Sequence, residues 1–439
     1  MKTKNKTIAF LEITVVLCSV FLVAMPATAV AAEEDDFVLD IYGNANEDDT
    51  IDMRDLTYVK LIFFGKKPGT ELADAKYDGK INPLDFIQIK LIIVGKEKEL
   101  TYVDIFGEAE TVNKPIKRVV VMDRCAAEAF RMLNAKDKVV AITKNMMAER
   151  YIYFPEFSKL PLAGYNWNEP DFEAILAQNP DAVITYIPQA VYWAKTKAEW
   201  EEKLPSVNII TLGFVNPPTG NKWTDIDRYN DLIQSTRKLG YIFDKEAEAE
   251  EFCDWYEGHF NTIKSRTDEL SEDEKPRIFQ EWNWDYYSPH HITRERRMCD
   301  IAGGRDIAAD LPYSGNVDPE WVMEQNPDMI IGIYPFGYLD YETDDPSEII
   351  AKRENILNRP ELANVAAVKN DRVYVQTFVM TNGPHTIANI AYMAKWLHPE
   401  LFEDLDPEEI HQEFIDRFCP GLDYDVKEHG IFVYPPLTS

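Results

Sequence analysis

The chain reads as an α/β protein. It has two lobes, each a doubly wound parallel sheet, joined by a long helix and preceded by a small helical module made from a duplicated loop. Three observations predict this. One phrase is written twice: Asp171-Phe172-Glu173-Ala174-Ile175-Leu176-Ala177-Gln178-Asn179-Pro180-Asp181 runs into Ala182-Val183-Ile184, and Asp318-Pro319-Glu320-Trp321-Val322-Met323-Glu324-Gln325-Asn326-Pro327-Asp328 runs into Met329-Ile330-Ile331. A different loop-and-helix phrase is duplicated before residue 100. A charged amphipathic stretch beginning at Asp244 lies between the two copies of the first phrase.

The elements follow in order. Lys2, Lys4 and Lys6 precede an apolar stretch from Ile13 to Met25, with small-residue cleavage sites at Ala27-Thr28-Ala29 and Ala29-Val30-Ala31, so residues 1–31 read as a secretory signal. An uncleaved anchor is the alternative, but the apolar run is shorter than the ~20 residues a span needs. With 46 basic against 76 acidic residues and a net charge of -30, nucleic acid and anionic membrane surfaces are poor partners. Cys125, Cys253, Cys299 and Cys419 are scattered without a Cys-x-x-Cys pair and read as buried thiols.

Within residues 38–99, Asn44-Ala45-Asn46-Glu47-Asp48-Asp49-Thr50-Ile51-Asp52-Met53-Arg54-Asp55 aligns with Asp74-Ala75-Lys76-Tyr77-Asp78-Gly79-Lys80-Ile81-Asn82-Pro83-Leu84-Asp85. A helical stretch follows each loop, and both contain Lys-Leu-Ile (Lys60-Leu61-Ile62 and Lys90-Leu91-Ile92). Oxygen-bearing side chains at loop positions 1, 3, 5, 9 and 12, with a backbone carbonyl at position 7, are what Ca²⁺ requires. The first loop supplies Asn44, Asn46, Asp48, Thr50, Asp52 and Asp55; the second supplies Asp74, Asp78, Lys80, Asn82 and Asp85, with Thr50 and Lys80 offering the carbonyl. Asp49 replaces glycine at position 6 of the first loop, and Lys76 at position 3 of the second repels a cation. The first loop is therefore favoured by ligand chemistry and the second by turn geometry. Ile51 and Ile81 at position 8 are expected to tie the loops together through their backbones. The segment resembles a dockerin, which implies Ca²⁺ as cofactor and a cohesin-domain protein as partner.

Residues 101–439 form the main domain. Tyr102 to Val112 suggests a hairpin, and Lys117-Arg118-Val119-Val120-Val121 a first core strand. A helix from Ala126 through Leu133 and a strand at Lys138-Val139-Val140-Ala141-Ile142 continue a strand–helix–strand order. In each repeated phrase an Asp caps a short helix, Pro stops it, and an unbroken apolar run follows. Such a run is the pattern of a strand covered on both faces. The first lobe spans about 113–242, the connecting helix about 244–272, the second lobe about 276–396, and a helical extension packed on the second lobe about 397–439. A rigid helical connection implies limited closure between lobes.

Six phrases occur in the order found in periplasmic binding proteins that deliver ferric siderophores, haem or vitamin B12 to ABC importers. They are Pro115 to Val121, Ala126-Ala127-Glu128, Phe172 to Leu176, Ala302-Gly303-Gly304, Asn326 to Ile331, and Val365 to Tyr374. The segment from about Ile105 to Trp396 resembles that family, which implies two Rossmann-like lobes, an ABC permease as partner and an iron chelate or corrinoid as ligand. It also implies that Glu173 and Glu320, equivalent in the two lobes, dock against transporter arginines. The bland alternative is that each merely complements a helix dipole, worth ~0.3–1 kcal/mol.

Loops at the carboxyl ends of strands line such a cleft. They select Arg124, Tyr165, Trp167, Trp282, Trp284, Tyr286, Tyr287, Arg294, Tyr313, Asn382 and His385. Aromatic faces suit a macrocycle or catecholate, and Arg suits carboxylates or π-systems. A bare transition-metal ion is less suited, because the histidines begin at His259 and leave the first lobe without one; His290-His291 reads as a surface turn. No catalytic motif appears, so no enzyme is expected. The rivals are a dockerin-bearing glycoside hydrolase or a surface scaffold.

Overall fold

A computed structural model describes residues 37–146, 151–186, 190–215, 231–289, 294–311, 314–334 and 340–437. The signal segment 1–31, Tyr313 and His290-His291 lie outside these residues. Helices α1 (Met53–Phe63) and α2 (Pro83–Ile93) follow the two duplicated loops and begin with the same capping box. Asp52 and Asn82 are the N-caps, while Asp55 and Asp85 accept the N–H of Asp52 and Asn82 at 2.7 Å each. A cap of this kind is worth ~1 kcal/mol, so the loops and helices hold one another.

Strands β1 (Glu99–Val103) and β2 (Ala109–Asn113) form the expected hairpin. The chain before the first loop runs along it, with an Ile41–Tyr102 bridge and a 2.9 Å bond from Tyr42 N–H to the Thr101 carbonyl. Leu39, Ile41, Val59, Ile89 and Ile92 belong to the same apolar core as Val119, Phe130, Leu239 and Phe252. Phe37–Ser439 is one compact unit, so the duplicated module is packed on the main domain.

The first lobe contains β3 (Val119–Val121), α3 (Arg124–Met132), β4 (Val139–Ile142), α4 (Phe172–Ala177), β5 (Ala182–Thr185), α5 (Ala190–Lys203) and β6 (Asn208–Thr211). Its sheet order is β4-β3-β5-β6, with every neighbouring pair parallel. All residues of β3 and β5 are buried, as unbroken apolar runs require. Two helices connect the lobes: α6 (Leu232–Phe243), buried along its whole length, and α7 (Glu246–Thr267). Asp244, with φ 57°, ends α6 in the left-handed region. The 22 residues of α7 rise about 33 Å, enough to run beside both lobes.

The second lobe opens with β7 (Arg277–Glu281), β8 (Tyr287–Ser288), α8 (Arg294–Ile301), β9 (Arg305–Asp306) and β10 (Gly315–Asn316). It continues through α9 (Pro319–Gln325), β11 (Met329–Ile333), α10 (Ser347–Leu357), α11 (Ala366–Lys369) and β12 (Val373–Gln376). The chain closes with α12 (Thr386–Leu397), α13 (Pro407–Phe418) and β13 (Val433–Tyr434). The sheet order is β13-β12-β11-β7-β9, parallel except for β13. The carboxy-terminal extension therefore does more than add helices to the second lobe. It pairs with the free edge of β12, packs Phe418 edge-on against Phe252 of α7 at 5.3 Å, and receives Lys136 of the first lobe on the Pro420 carbonyl at 2.6 Å.

The repeated phrase does the same work in both lobes. Asp171 accepts Ala174 N–H at 2.9 Å and Asp318 accepts Glu320 N–H at 2.8 Å, capping α4 and α9. Asn179 and Asn326 turn through positive φ. Asp181 then accepts Lys117 and Arg118 N–H, and Asp328 accepts Arg277 N–H, so each copy ties its own strand to the first strand of its sheet. No helix among the described residues is long and apolar enough to cross a membrane. Cys125, Cys253, Cys299 and Cys419 are buried free thiols.

Candidate functional site

In a doubly wound sheet the cleft lies at the carboxyl ends of the strands. Arg124 and His385 reach that region but are spent on each other's neighbours. Arg124 Nη1 donates to Glu128 Oε2 at 3.0 Å, and its guanidinium lies over the rings of Tyr153 and Phe154. His385 faces Glu128 Oε1 through Nδ1 at 2.9 Å and the Val379 carbonyl through Nε2 at 3.1 Å, so both ring nitrogens meet acceptors. The Tyr153 hydroxyl donates to the same Glu128 oxygen. Burial opposes ionisation of Glu128, yet Arg124, His385 and the Tyr153 hydroxyl overcome it and hold the carboxyl at about 2.

Glu128 belongs to the first lobe and His385 to the second, so this network joins the two. Gly383 makes the approach feasible: a Cβ there would sit 2.4 Å from Glu128 Oε2. Tyr341 extends the network by stacking on Tyr153 at 3.9 Å and bonding His411 Nε2 at 2.6 Å. Burial, with His385 close by, pushes the His411 pKa well down and keeps that ring neutral. Arg124 and His385, expected at the cleft, are both buried where the lobes meet, engaged with Glu128. Glu128, Tyr153, Tyr341 and His411 were not singled out from the sequence, where an Ala-Ala-Glu helix and isolated tyrosines carry no mark of partnership.

Tyr286, likewise expected at the cleft, is engaged within its own lobe. Its hydroxyl donates to Glu361 at 2.7 Å and its ring lies beneath Arg359 at 4.6 Å, within the second-lobe core. The buried Glu281 carboxylate holds Arg359, Lys352 and the Tyr286 N–H together, which draws the ring inward. Trp167 is half-buried against the apolar cluster containing Val120 and Trp200, whereas Tyr165 is 49% exposed at the end of β4. Asn382 is buried, its amide bonded to the Phe378 carbonyl at 2.8 Å.

What remains at the cleft end of β7 is an aromatic platform, and the helix that follows it in the chain opens with a basic run. Trp282 stacks on Tyr287 at 5.8 Å, and Trp284, 53% exposed, meets Tyr287 edge-on at 5.2 Å. Arg294 is the first residue of α8, lies over Phe378 at 5.2 Å and pairs with Glu295 at 3.2 Å. One turn on, Arg297 is 1% exposed, and burial lowers its pKa to about 10, offset only in part by nearby Tyr186 of the first lobe. Three arginines, Arg294, Arg296 and Arg297, against the single Glu295 in a first helical turn run against the helix dipole, an arrangement an anion would relieve. Arg297 was missed from the sequence; the Arg-Glu-Arg-Arg run at 294–297 is the signal that could have found it.

Glu173 and Glu320 are both exposed at the second position of their helices, α4 and α9. Neither forms an ion pair among the described residues.

The duplicated loops differ in their fitness for a cation. In the first, Asn46 Nδ2 donates to Asp48 at 2.6 Å, leaving Asn46 Oδ1 buried without a donor. Asp55 is buried, and desolvation with Asp48 and Asp52 nearby pushes its carboxyl up to about 7 despite two backbone N–H bonds. A desolvated carboxylate and an unmet amide oxygen fit Ca²⁺, with Asn44, Asn46, Asp48, Asp55 and the Thr50 carbonyl as donors. Arg54 competes by pairing with Asp48 and Asp52.

In the second loop, Asp74 accepts the N–H groups of Asp78 and Gly79, and Asp78 accepts that of Lys80. The Lys76 ammonium pairs with Glu99 at 3.1 Å, away from the loop, so the expected repulsion is reduced. Asp52 and Asn82, expected as ligands, serve as helix caps. Among the described residues no three acidic, His or Cys side chains gather into a metal-holding group. The Ile51 and Ile81 backbones do not pair; Ile51 N–H goes instead to the Tyr241 hydroxyl at 2.8 Å.

Residues 119–378 match the family model described as periplasmic binding protein. The molybdate-binding protein MolA of Haemophilus influenzae is 23% identical over 330 residues, covering 70% of this chain and 87% of that protein. Among solved structures, the TroA-like periplasmic binding protein FepB from Veillonella parvula superposes with a TM-score of 0.61 at 21% identity, covering 76% of this chain and 98% of that one. Helicobacter pylori CeuE in its Ni–His complex gives 0.55 at 16% identity, covering 75% and 98%. The two structures support the bilobed fold, and the family match spans more than half of the sequence. The chain belongs to the periplasmic binding protein family: it is a substrate-binding protein of an ABC importer, not an enzyme, with a small-molecule ligand, a membrane permease as partner and a periplasmic or extracellular location.

Proposed function

We propose that the cargo is an anionic iron chelate, captured between the lobes and handed to the permease; a corrinoid is the related alternative. Arg294 and Arg297 on one turn of α8, together with the Trp282–Trp284–Tyr287 platform that follows β7, are the observations that carry this reading. Guanidinium groups recognise carboxylate and catecholate oxygens, and indole faces cover a chelate's rings. A bare oxyanion is the second reading, favoured by the molybdate-binding relative and served by the same arginines. The aromatic platform would then be superfluous. Glu173 and Glu320 are assigned to permease docking.

The front module is assigned Ca²⁺, first of all in the loop from Asn44 to Asp55. A cohesin-type partner is assigned to its outer face, where Met53, Phe63, Phe64, Leu84, Ile87 and Val94 are exposed. Exposed apolar side chains in this number on a small module are the kind of surface a partner covers.

Thermal shift against ferric siderophores, haem, a corrinoid and molybdate tests the cargo. The true ligand at a hundredfold excess over Kd stabilises by ~2.7 kcal/mol. Arg294→Ala with Arg297→Ala is expected to weaken its binding by roughly ten- to hundredfold, the loss of charged hydrogen bonds. Stabilisation by molybdate alone would replace the chelate reading, and no response to any compound would overturn it.

A further inference from the structure

The first acidic loop is completed from outside the module. Its position-7 and position-8 residues, Thr50 and Ile51, both bond one hydroxyl, that of Tyr241 on α6. Thr50 Oγ1 lies 3.1 Å from it and Ile51 N–H donates to it at 2.8 Å. In the second loop the equivalent residues are Lys80 and Ile81. Among the described residues neither bonds a side chain of the main domain, and Lys80 is exposed.

Tyr241 does not act alone. Gln234, Lys238 and Tyr241, spaced by four and three, form one stripe of α6. Gln234 bonds the Val38 carbonyl and the Asp40 N–H, and Lys238 Nζ bonds the Val103 carbonyl at 2.8 Å. Lys114, buried beneath, pairs with Glu97 of the module and with Asp244 just after α6, and bonds the Tyr241 carbonyl. On its other side α6 packs against α7, where Arg237 pairs with Glu250 and Glu257. The loop, its docking helix and the connecting helix are thus one mechanical unit.

We propose that Tyr241 is a positioning residue for the first cation loop, and that cation binding there is linked to the stability of the whole binding domain. The inference rests on the calcium reading. Tyr241 fixes the segment whose Thr50 carbonyl would face the ion, so less ordering remains to be done when the ion arrives. Because the loop is held on α6, energy gained in the loop opposes unfolding of the domain.

The test uses the full chain stripped with EDTA and titrated with CaCl₂ by calorimetry, with unfolding scanned in parallel. Tyr241→Phe removes the hydroxyl and keeps the ring; Asp48→Ala disables the first loop; Thr50→Val removes one of the two contacts should the Phe variant fold poorly. Ca²⁺ is expected to raise the main unfolding transition. Tyr241→Phe should weaken first-loop affinity by about tenfold, the worth of two neutral hydrogen bonds in part re-satisfied by water. It should leave any second-loop affinity unchanged, and Thr50→Val should weaken the first loop less. Wild-type Ca²⁺ affinity in Tyr241→Phe, or a Ca²⁺-dependent rise confined to a separate small transition, overturns the linkage while leaving the calcium reading intact. No Ca²⁺ uptake by the unaltered chain overturns both.

Discussion

Glu128→Gln removes the charge on which the inter-lobe network converges and leaves its shape nearly unchanged. Three groups lose their counter-charge or charged acceptor at once: Arg124, His385 and the Tyr153 hydroxyl. The folded protein lowers this carboxyl from its ordinary 4.5 to about 2, and about two and a half pKa units at 1.36 kcal/mol each gives ~3 kcal/mol. Breaking a fully buried ion pair from one side costs ~3–5 kcal/mol, which agrees. The assay is urea unfolding at pH 7 of wild type, Glu128→Gln, His385→Gln and the double variant. The double variant should fall well short of the sum, because the residues share one network.

Since folding depresses this pKa, the contribution is present in full above the unfolded carboxyl's range and lost as pH falls from about 4.5 towards about 2. Wild type and Glu128→Gln should therefore converge in acid. A loss below ~1 kcal/mol at pH 7, or additive single variants, would show that the network contributes little to holding the lobes together.

Asp340 behaves in the opposite sense. Burial raises its carboxyl to about 7, with the Thr377 hydroxyl and the Arg124 charge offsetting only part of the cost. Folded Asp340 holds its proton more tightly than unfolded Asp340, so its effect is absent in acid and stability falls as pH rises from about 3.8 to about 7. Asp340→Asn should raise Tm at pH 8, by up to ~4 kcal/mol in stability, with no gain near pH 4, as read by calorimetry at the two pH values. Glu173→Ala with Glu320→Ala should leave ligand affinity unchanged and cost only ~0.3–1 kcal/mol in stability per helix, while abolishing delivery to the cognate permease. Normal uptake by that double variant would return both residues to their helix-dipole role.

By itself the sequence determined the architecture. The twice-written Asp-to-Asp phrase carries its own caps, stop and buried strand, all local interactions within a dozen residues. For that reason both lobes, their parallel sheets and the connecting helix were legible before any coordinates. The same holds for the capped loops of the front module, where Asp55 and Asp85 act on residues three positions away.

Only the tertiary structure decided which of the candidate side chains are engaged in internal networks. Arg124 and Glu128 sit one turn apart on α3, but nothing local shows that His385, 257 residues beyond Glu128, joins them. Tyr286 turns away from the cleft because Arg359 and Glu361, more than seventy residues on, capture its ring and hydroxyl. Tyr241 meets Thr50 across 191 positions and makes the module part of the domain. A charged or aromatic side chain in a strand-end loop costs little to turn by one rotamer, so its direction is set by the partner that satisfies it. In this chain those partners range from the next helical turn to the same lobe, the other lobe and the front module.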